Sequence, residues 1–349
     1  MELICDSPAH KSVPDKYVLP LEKRPCSHEL LEDLSVVLPV IDLQGALGEG
    51  RRQVVGEIME AGKEFGFIQV VNHGVAEDVI QGFREVAAEF FKMPEEEKLR
   101  YYSSDHTKPC RVFSGSLTSH NDANDIRYWR DCLKLRCYPI DKMMHQWPSH
   151  PAMFRECLAK YAVAVQELAR RFLQLIAKGL GFDNQDFFEG DLSGGETLMN
   201  VNYYPPCPDP SLTMGIRPHC DRHLLTILSQ GDVSGLQAKH RGRWIRVQPI
   251  HNAFVINFGL QMEIVTNGLL PSVEHRAVTN SAKARMSVAS LIRPKIDCTI
   301  GPTPTMFNEE TNPPKYKDFT CSEFTEAYEA AAGNREAVLD FFKIHHTPS

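Results

Sequence analysis

The segment Met199–Leu228 reads MNVNYYPPCPDPSLTMGIRPHCDRHLLTIL, and its interpretation governs the rest of the chain. At its centre His219 and Asp221 flank Cys220, followed by the apolar run Leu224-Leu225-Thr226-Ile227-Leu228. On a strand, residues two apart share a face, so the imidazole and the carboxylate would converge while Cys220 points away. A second histidine, His275, stands in the β-like run Val273-Glu274-His275-Arg276-Ala277-Val278. Two histidines and one carboxylate on one face of a metal, with the other positions open, is the non-haem ferrous arrangement. Ten residues after His275 come Arg285 and Ser287, again two apart. A guanidinium fork and a hydroxyl at that spacing suit a carboxylate. These four pieces predict one site.

A helical reading of the same residues fails. His219 and His223 are four apart, as in a zinc-binding HExxH pair, but that motif needs Glu where Cys220 stands. On a helix Asp221 would also point away from both histidines. On a strand His223 would lie roughly 13 Å from His219, too far to share a metal. Pro218 and the Thr/Ile-containing run favour the strand.

The whole chain bounds the function class. It has 349 residues, 42% hydrophobic and 24% charged, enough for one large core or two modest domains of an ordinary soluble protein. A formal net charge of −7 argues against nucleic acid or an anionic membrane as partner. Ten scattered cysteines without a CxxC, and no apolar signal region in MELICDSPAHKSVPDK, predict reduced thiols in the cytoplasm. No apolar run approaches the length of a membrane span.

Taken in order, residues 1–37 lack periodicity and predict an arm laid on the surface. Leu38–Leu43 reads as a short strand. Val54, Val55, Ile58, Ala61 and Phe65 have helical spacing, stopped by Gly66. Phe67–Val71 is a strand ended by Asn72-His73-Gly74, and His73 reads as a structural turn histidine. A second helix carries Val79, Phe83, Val86, Ala87, Phe90 and Phe91, and Pro94 opens a short acidic turn. Residues 103–127 predict a loop around Phe113-Ser114-Gly115, and Tyr128–Asp131 starts another strand. Pro148 and Pro151 introduce a long helix from Phe154 through Ile176, ended by Gly179 and Gly181.

From Thr197 short strands alternate with turns, which predicts a sandwich or barrel. The candidates are 197–204, 224–230, 244–248, 253–258, 262–266, 273–278 and 285–293. Asn267-Gly268 is a turn signal. Residues 280–284 would close a hairpin returning Arg285 towards His275. A single last helix from Ser322 to about Phe342 would form a lid over one end of the barrel. The divisions expected are an arm (1–37), an N-terminal region (38–150), a long helix and connection (151–196), the metal-binding core (197–294) and the tail with its lid (295–349).

At these residues the chain resembles the plant 2-oxoglutarate- and Fe(II)-dependent dioxygenases over nearly its whole length. The shared features are Leu38-Pro39-Val40-Ile41-Asp42, Gly66-Phe67 through Asn72-His73-Gly74, and Asn202-Tyr203-Tyr204-Pro205-Pro206-Cys207-Pro208, completed by the His219/Asp221, His275 and Arg285/Ser287 set. Within the family it is similar to the grass enzymes that hydroxylate 2′-deoxymugineic acid. The cues there are Tyr128-Trp129-Arg130-Asp131-Cys132-Leu133, Phe188 to Gly195, His219-Cys220-Asp221-Arg222 and Thr266-Asn267-Gly268-Leu269-Leu270. A looser similarity to the hyoscyamine 6-hydroxylases rests on Pro205–Pro210 and Val247-Gln248-Pro249-Ile250. Gly259-Leu260 departs from the Gly-Asp that many members carry, off the metal set.

The resemblance implies a double-stranded β-helix (jelly-roll) core flanked by helices. It makes His219, Asp221 and His275 the iron ligands, with Arg285 and Ser287 holding 2-oxoglutarate and with Asn202 and Tyr204 as further cosubstrate contacts. Fe(II), 2-oxoglutarate and O2 are then required, and ascorbate keeps the iron reduced. The expected reaction is hydroxylation of an unactivated C–H in a small specialised metabolite or hormone, amino-acid-derived and mugineic-acid-like among the candidates, by a monomer. Desaturation or epoxidation would share the same chemistry up to hydrogen abstraction. A catalytically silent small-molecule binder would not need Arg285, which is intact. No side chain beyond the iron ligands is needed for catalysis. Alternation from Arg285 and Ser287 puts Ala289, Leu291 and Arg293 on the same inward face. Leu291 and Arg293 are therefore expected substrate contacts, joined by Phe113 from its place in the loop and by Asn200, which shares a strand face with Asn202 and Tyr204, with Arg293 either anchoring a substrate carboxylate or pairing at the rim with an acid such as Asp297.

Overall fold

The alternation of side chains along the strands of this chain sorts them into two facing sheets, with helices behind the larger one. The fold is seen in a computed structural model that describes residues 3–6, 10–31, 36–115 and 127–344. Its elements begin with β1 (Val40–Asp42), α1 (Arg51–Phe65), β2 (Phe67–Val71), α2 (Glu77–Lys92) and α3 (Glu95–Leu99). Next come β3 (Cys110–Ser114), β4 (Asp131–Arg136), α4 (Ile140–Met143) and α5 (Phe154–Gly179). The strand-rich part follows with β5 (Leu198–Tyr204), β6 (Ile216–His219), β7 (Leu225–Ser229), β8 (Leu236–His240), β9 (Arg243–Arg246) and β10 (Phe254–Phe258). Then come α6 (Leu260–Val265), β11 (His275–Ala277), β12 (Arg285–Ile292), β13 (Thr299–Ile300), β14 (Phe319–Thr320), α7 (Cys321–Ala330) and α8 (Arg335–Asp340).

Eight strands form the larger sheet in the order β1-β2-β10-β7-β12-β5-β4-β3, and four form the smaller in the order β6-β11-β8-β9. On the outer face of the larger sheet, Leu133, Met199, Val201, Ile227 and Val288 pack against Phe83, Leu158 and Phe172 of α2 and α5 in one continuous core. Between the sheets, Phe67, Leu228 and Val255 meet Leu236, Ala238 and Ile245 in a second cluster. The larger sheet is therefore apolar on its helix side and mixed on its inner side. That mixed inner face is where polar side chains gather. The β-sandwich with flanking helices is the jelly-roll core that the sequence predicts.

Most predicted elements stand where expected, including α1, β2, α2 and α5, and Gly66 ends α1 in the left-handed conformation at φ 60°. Four expectations are corrected. The residues around Phe113 are strand β3, not loop, because Cys110–Ser114 pairs antiparallel with β4 throughout; residues 116–126 of that predicted loop lie outside the described residues. Residues 262–266 belong largely to α6, a fully buried helix whose apolar run has no exposed face to betray its period. No hairpin joins β11 to β12, since β11 pairs with β6 and β8 in the smaller sheet while β12 pairs with β5 and β7 in the larger one. The last helix is two, interrupted where Ala332 and Gly333 both take positive φ. Residues 1–2, 7–9 and 32–35 of the arm and 345–349 of the tail also lie outside the described residues. The described part of the arm is anchored as well as laid down: the Ile4 and Cys5 N–H groups donate to the buried Asp131 carboxylate at 3.0 and 2.7 Å.

Candidate active site

The two histidines meet because β6 and β11 are neighbours, with His219 and His275 direct register partners. Their rings lie 4.2 Å apart between centroids. Asp221 comes from another direction. Strand β6 ends at His219, so Asp221 lies in the link that carries the chain from the smaller sheet to β7 of the larger one. The convergence predicted from strand alternation is thus produced by a strand end and the turn after it. The Asp221 carboxylate is 3.7 Å from His219 Nε2 through Oδ1 and 3.8 Å from His275 Nε2 through Oδ2. These gaps are too long for hydrogen bonds. The ligand atoms of the three residues all lie within 4.8 Å of one another, forming the one metal-capable cluster among the described residues.

Each donor is oriented from behind. The Nδ1–H of His219 donates to the Arg217 carbonyl at 2.9 Å and that of His275 to the Val273 carbonyl at 3.2 Å. Both Nε2 lone pairs are thereby turned to the common point, the tautomer a metal requires. Thr226 Oγ1 (2.6 Å) and Asn257 Nδ2 (2.8 Å) donate to Asp221 Oδ2. Those two residues belong to β7 and β10, so the larger sheet holds the carboxylate while the smaller one holds the imidazoles. Burial holds the His219 imidazole well below its usual range, with His275 adding to the effect and Asp221 opposing it. At Asp221 burial pushes up, but the facing imidazoles and the Thr226 and Asn257 hydrogen bonds outweigh it and leave the carboxyl lowered. A neutral nitrogen donor beside an ionised carboxylate is the state that binds a cation. These residues fit a divalent iron.

The backbone of this turn is fixed by contacts that the sequence did not reveal. Leu260 N–H donates to the Asp221 carbonyl at 2.8 Å, and Gly259 N–H to the Leu224 carbonyl at 3.2 Å. A Cβ on Gly259 would lie 1.7 Å from the His223 carbonyl oxygen, so only glycine fits. Leu260 serves through its backbone while its side chain is buried. The departure from Gly-Asp therefore leaves the metal set untouched. From the C-terminal side, the Tyr328 hydroxyl donates to the Cys220 carbonyl at 3.2 Å, and the Arg222 guanidinium lies 5.6 Å over the Tyr328 ring. Helix α7 thus fastens the link that carries Asp221.

The residues expected to hold the cosubstrate lie along β12 and β5, where Arg285 pairs with Tyr204 and Ser287 with Asn202. Arg285 is 3% exposed, donates from Nε to the Val233 carbonyl at 3.1 Å, and stands 5.1 Å over the Tyr204 ring. Its Nη1 is 3.5 Å from Ser287 Oγ. Among the described residues no carboxylate pairs with it, and burial lowers its pKa. Space beside it depends on Gly235, where a Cβ would stand 2.9 Å from Arg285 Cδ and equally close to the Val278 carbonyl. Asn202 shares the Ser287 row, but its amide oxygen already accepts from Arg130 Nη1 at 3.0 Å.

By register Phe113, Asn200 and Leu291 lie on the inner face, and Arg293 stands one residue beyond the end of β12. Leu291 pairs with Thr226, the residue whose hydroxyl holds Asp221. Phe113 lies three strands from Ser287 along the row Phe113, Cys132, Asn202, Ser287. Asn200 pairs with Ala289 and with Lys134. Arg293 meets Glu196 at 3.5 Å, not Asp297. His73 and His223 stay out of the cluster. His73 is 1% exposed, donates from Nε2 to the Asn252 carbonyl at 2.8 Å and accepts at Nδ1 from Val75 N–H. His223 is buried, with its ring held neutral by burial and by Arg222. A cavity of about 710 Å³ lies behind His219 and Cys220, against the α7–α8 turn, but neither Asp221 nor His275 lines it.

Residues 195–294 match the 2OG-Fe(II) oxygenase superfamily, and residues 38–150 match the N-terminal region of non-haem dioxygenases described from morphine synthesis. The chain is 44% identical to 2′-deoxymugineic-acid 2′-dioxygenase of Hordeum vulgare, covering 92% of this chain and 91% of the relative. It is 37% identical to hyoscyamine 6-dioxygenase of Hyoscyamus niger, over 96% of this chain and 97% of that one. Among solved structures, JOX2 in complex with 2OG, Fe and JA superposes with a TM-score of 0.84 at 31% identity, covering 98% of this chain and 96% of that one.

Proposed function

Since the chain belongs to the plant 2-oxoglutarate- and Fe(II)-dependent oxygenases, we propose that it hydroxylates an unactivated C–H bond of a small specialised metabolite or hormone, with release of succinate and CO2. The observation that carries this reading is the convergence of His219, Asp221 and His275, each turned inward by a hydrogen bond from behind. We assign these three as the iron ligands, leaving the remaining positions to the keto acid and O2. When bound, the iron supplies oxygen activation coupled to oxidative decarboxylation of 2-oxoglutarate, and ascorbate keeps it ferrous.

The chain's own residues position the reactants and dry the site. Arg285 and Ser287 hold the far carboxylate of 2-oxoglutarate, and Tyr204 supports the guanidinium from its face. Thr226 and Asn257 keep Asp221 ionised and aimed. Leu291 gives the substrate an apolar surface beside the metal. The relatives named above act on a deoxymugineic acid and on hyoscyamine, which supports a small-molecule substrate. Ten unpaired cysteines support a reducing compartment, and among the described residues no helix is long and apolar enough to cross a membrane. We take the enzyme to be a cytoplasmic monomer.

Purified protein incubated with ferrous iron, 2-oxoglutarate, ascorbate and a substrate panel tests this. The expected result is a product heavier by one oxygen atom, formed in step with succinate. A product lighter by two hydrogens would move the assignment to desaturation, and absence of any succinate above a metal-free control would refute it.

A further inference from the structure

The inner face of the larger sheet carries a second set of cations for which the cosubstrate has no use. Register places Arg111, Lys134, Asn200 and Ala289 side by side on β3, β4, β5 and β12, on the face that also carries Ser287 and Leu291. Like charges directly opposite on adjacent strands destabilise a sheet. Lys134 has no hydrogen bond or ion pair among the described residues. Arg222 and Arg293 stand within Coulombic range of Lys134 and of each other, and all three act on His223.

The nearby acids are few and peripheral. Glu196, 41% exposed, is shared between Arg293 at 3.5 Å and Arg136 at 3.0 Å. Glu329, 67% exposed, is 3.7 Å from Arg222. Pairs with acids as exposed as these contribute little. Burial, then Arg222, Arg111 and Arg293, lower the Lys134 ammonium to about 7. Beside it the Asn200 amide oxygen is buried and without a partner.

Partly buried cations gathered without matching acids are costly unless an anion joins them. That anion is not 2-oxoglutarate held at Arg285. Arg293 follows Arg285 by eight residues, about 27 Å of extended strand, and a short keto acid gripped at one end does not reach the other. Leu291 lies between, next to Thr226 and hence to the metal cluster.

We propose that Lys134, Arg222 and Arg293 form the recognition end of the substrate pocket and that the prime substrate is a small organic acid, its carboxylate held by these cations and its carbon chain laid over Leu291 towards His219 and Asp221. Asn200 offers its free amide to a hydroxyl or ammonium on the same molecule. The direction of the chain rests on the metal-ligand reading above; the anion subsite does not.

The test is calorimetry on the Fe(II)- and 2-oxoglutarate-loaded enzyme without O2, titrated with 3-phenylpropionate and adipate and with their neutral amides. At least one acid is expected to bind tenfold or more tightly than its amide. Lys134→Met and Arg293→Met should each weaken that acid tenfold or more, with iron content, 2-oxoglutarate affinity and melting temperature retained, and Lys134→Arg should restore binding. Equal binding of acid and amide, binding of neither, or variants that bind the acid like the parent overturns the proposal. If the loaded enzyme does not form at all, the metal reading fails, and the same titration of the metal-free protein still decides the subsite.

Discussion

Replacing Arg285 by Leu tests the cosubstrate assignment at its most charged point. A guanidinium has five N–H donors in a fixed fork. In this chain Arg285 spends donors on the Val233 carbonyl and on Ser287, rests on Tyr204, and has no acid opposite it among the described residues. The Tyr204 side chain hydrogen-bonds it as well, and the buried charge is left to a carboxylate from outside the chain. A charge-assisted hydrogen bond contributes about 1.5–3 kcal/mol, so the variant should bind 2-oxoglutarate roughly ten- to 150-fold more weakly. Iron should be retained, because none of the three ligands or their hydrogen-bond partners touches Arg285. Stability should hold or rise, since an apolar side chain replaces a buried charge without a counterion. Anaerobic calorimetry gives the affinity, succinate formation gives the KM, and a melting curve gives the stability. An unchanged KM for the keto acid, with iron bound, would reassign Arg285 to a structural role. A large fall in melting temperature would show that the chain itself satisfies the guanidinium.

His219→Ala, Asp221→Ala and His275→Ala should each lose iron and turnover, whereas His223→Ala and His73→Ala should keep full iron stoichiometry; in metal analysis of the five proteins, loss of iron from either of the last two would overturn the ligand assignment. Thr226→Val and Asn257→Ala, which free the Asp221 carboxylate from its supports, should weaken iron about ten- to a hundredfold without unfolding the chain, and competition with a chelator reads the change. His73 predicts a pH effect on stability. Burial lowers its pKa below 6.5, so the unfolded chain takes up a proton that the fold refuses. The stability it contributes is present above pH 6.5 and falls as pH drops towards the folded value, by up to about 1.4 kcal/mol per pH unit. His73→Gln should flatten that slope between pH 6.5 and 5; parallel denaturation curves for the two proteins would contradict the assignment.

What the sequence disclosed and what it hid divide along a physical line. Period and punctuation were enough where an element has one wet face or a strong stop, as in α2 with its stripe Val79 to Phe91 or α1 ending at Gly66. They failed at α6, whose residues Leu260 to Val265 are all buried and so carry no amphipathic signature. The short 280–284 connection suggests a hairpin, yet β11 and β12 find their partners in different sheets. Gly333 marks the break in the last helix, a signal that apolar content alone does not carry. The polar, glycine-containing surroundings of Phe113 suggest a loop and hide its pairing with β4.

The site shows the same division more sharply. The pairs His219/Asp221 and Arg285/Ser287 are legible because their members stand within three residues of chain, although only Arg285/Ser287 lie on one strand as the spacing suggests; Asp221 lies in the link after β6. Their supports are not: Thr226, Asn257, Leu260 and Tyr328 come from β7, β10, α6 and α7 and reach one turn only after the sheets close. The cations at the far end of β12 belong to this second kind, since Lys134, Arg222 and Arg293 are drawn from β4, from the link after β6 and from the end of β12. A local motif can specify the chemistry that the family shares, because iron and 2-oxoglutarate require the same few atoms each time. The proposed substrate contacts come instead from several strands, and what they have in common is the face they occupy. Single substitutions there alter charge and shape without disturbing the metal, so substrate choice can change while the reaction is retained. The Lys134 row is therefore where this enzyme's own specificity should be sought, with Ser287 and Arg285 as the fixed reference from which the pocket is measured.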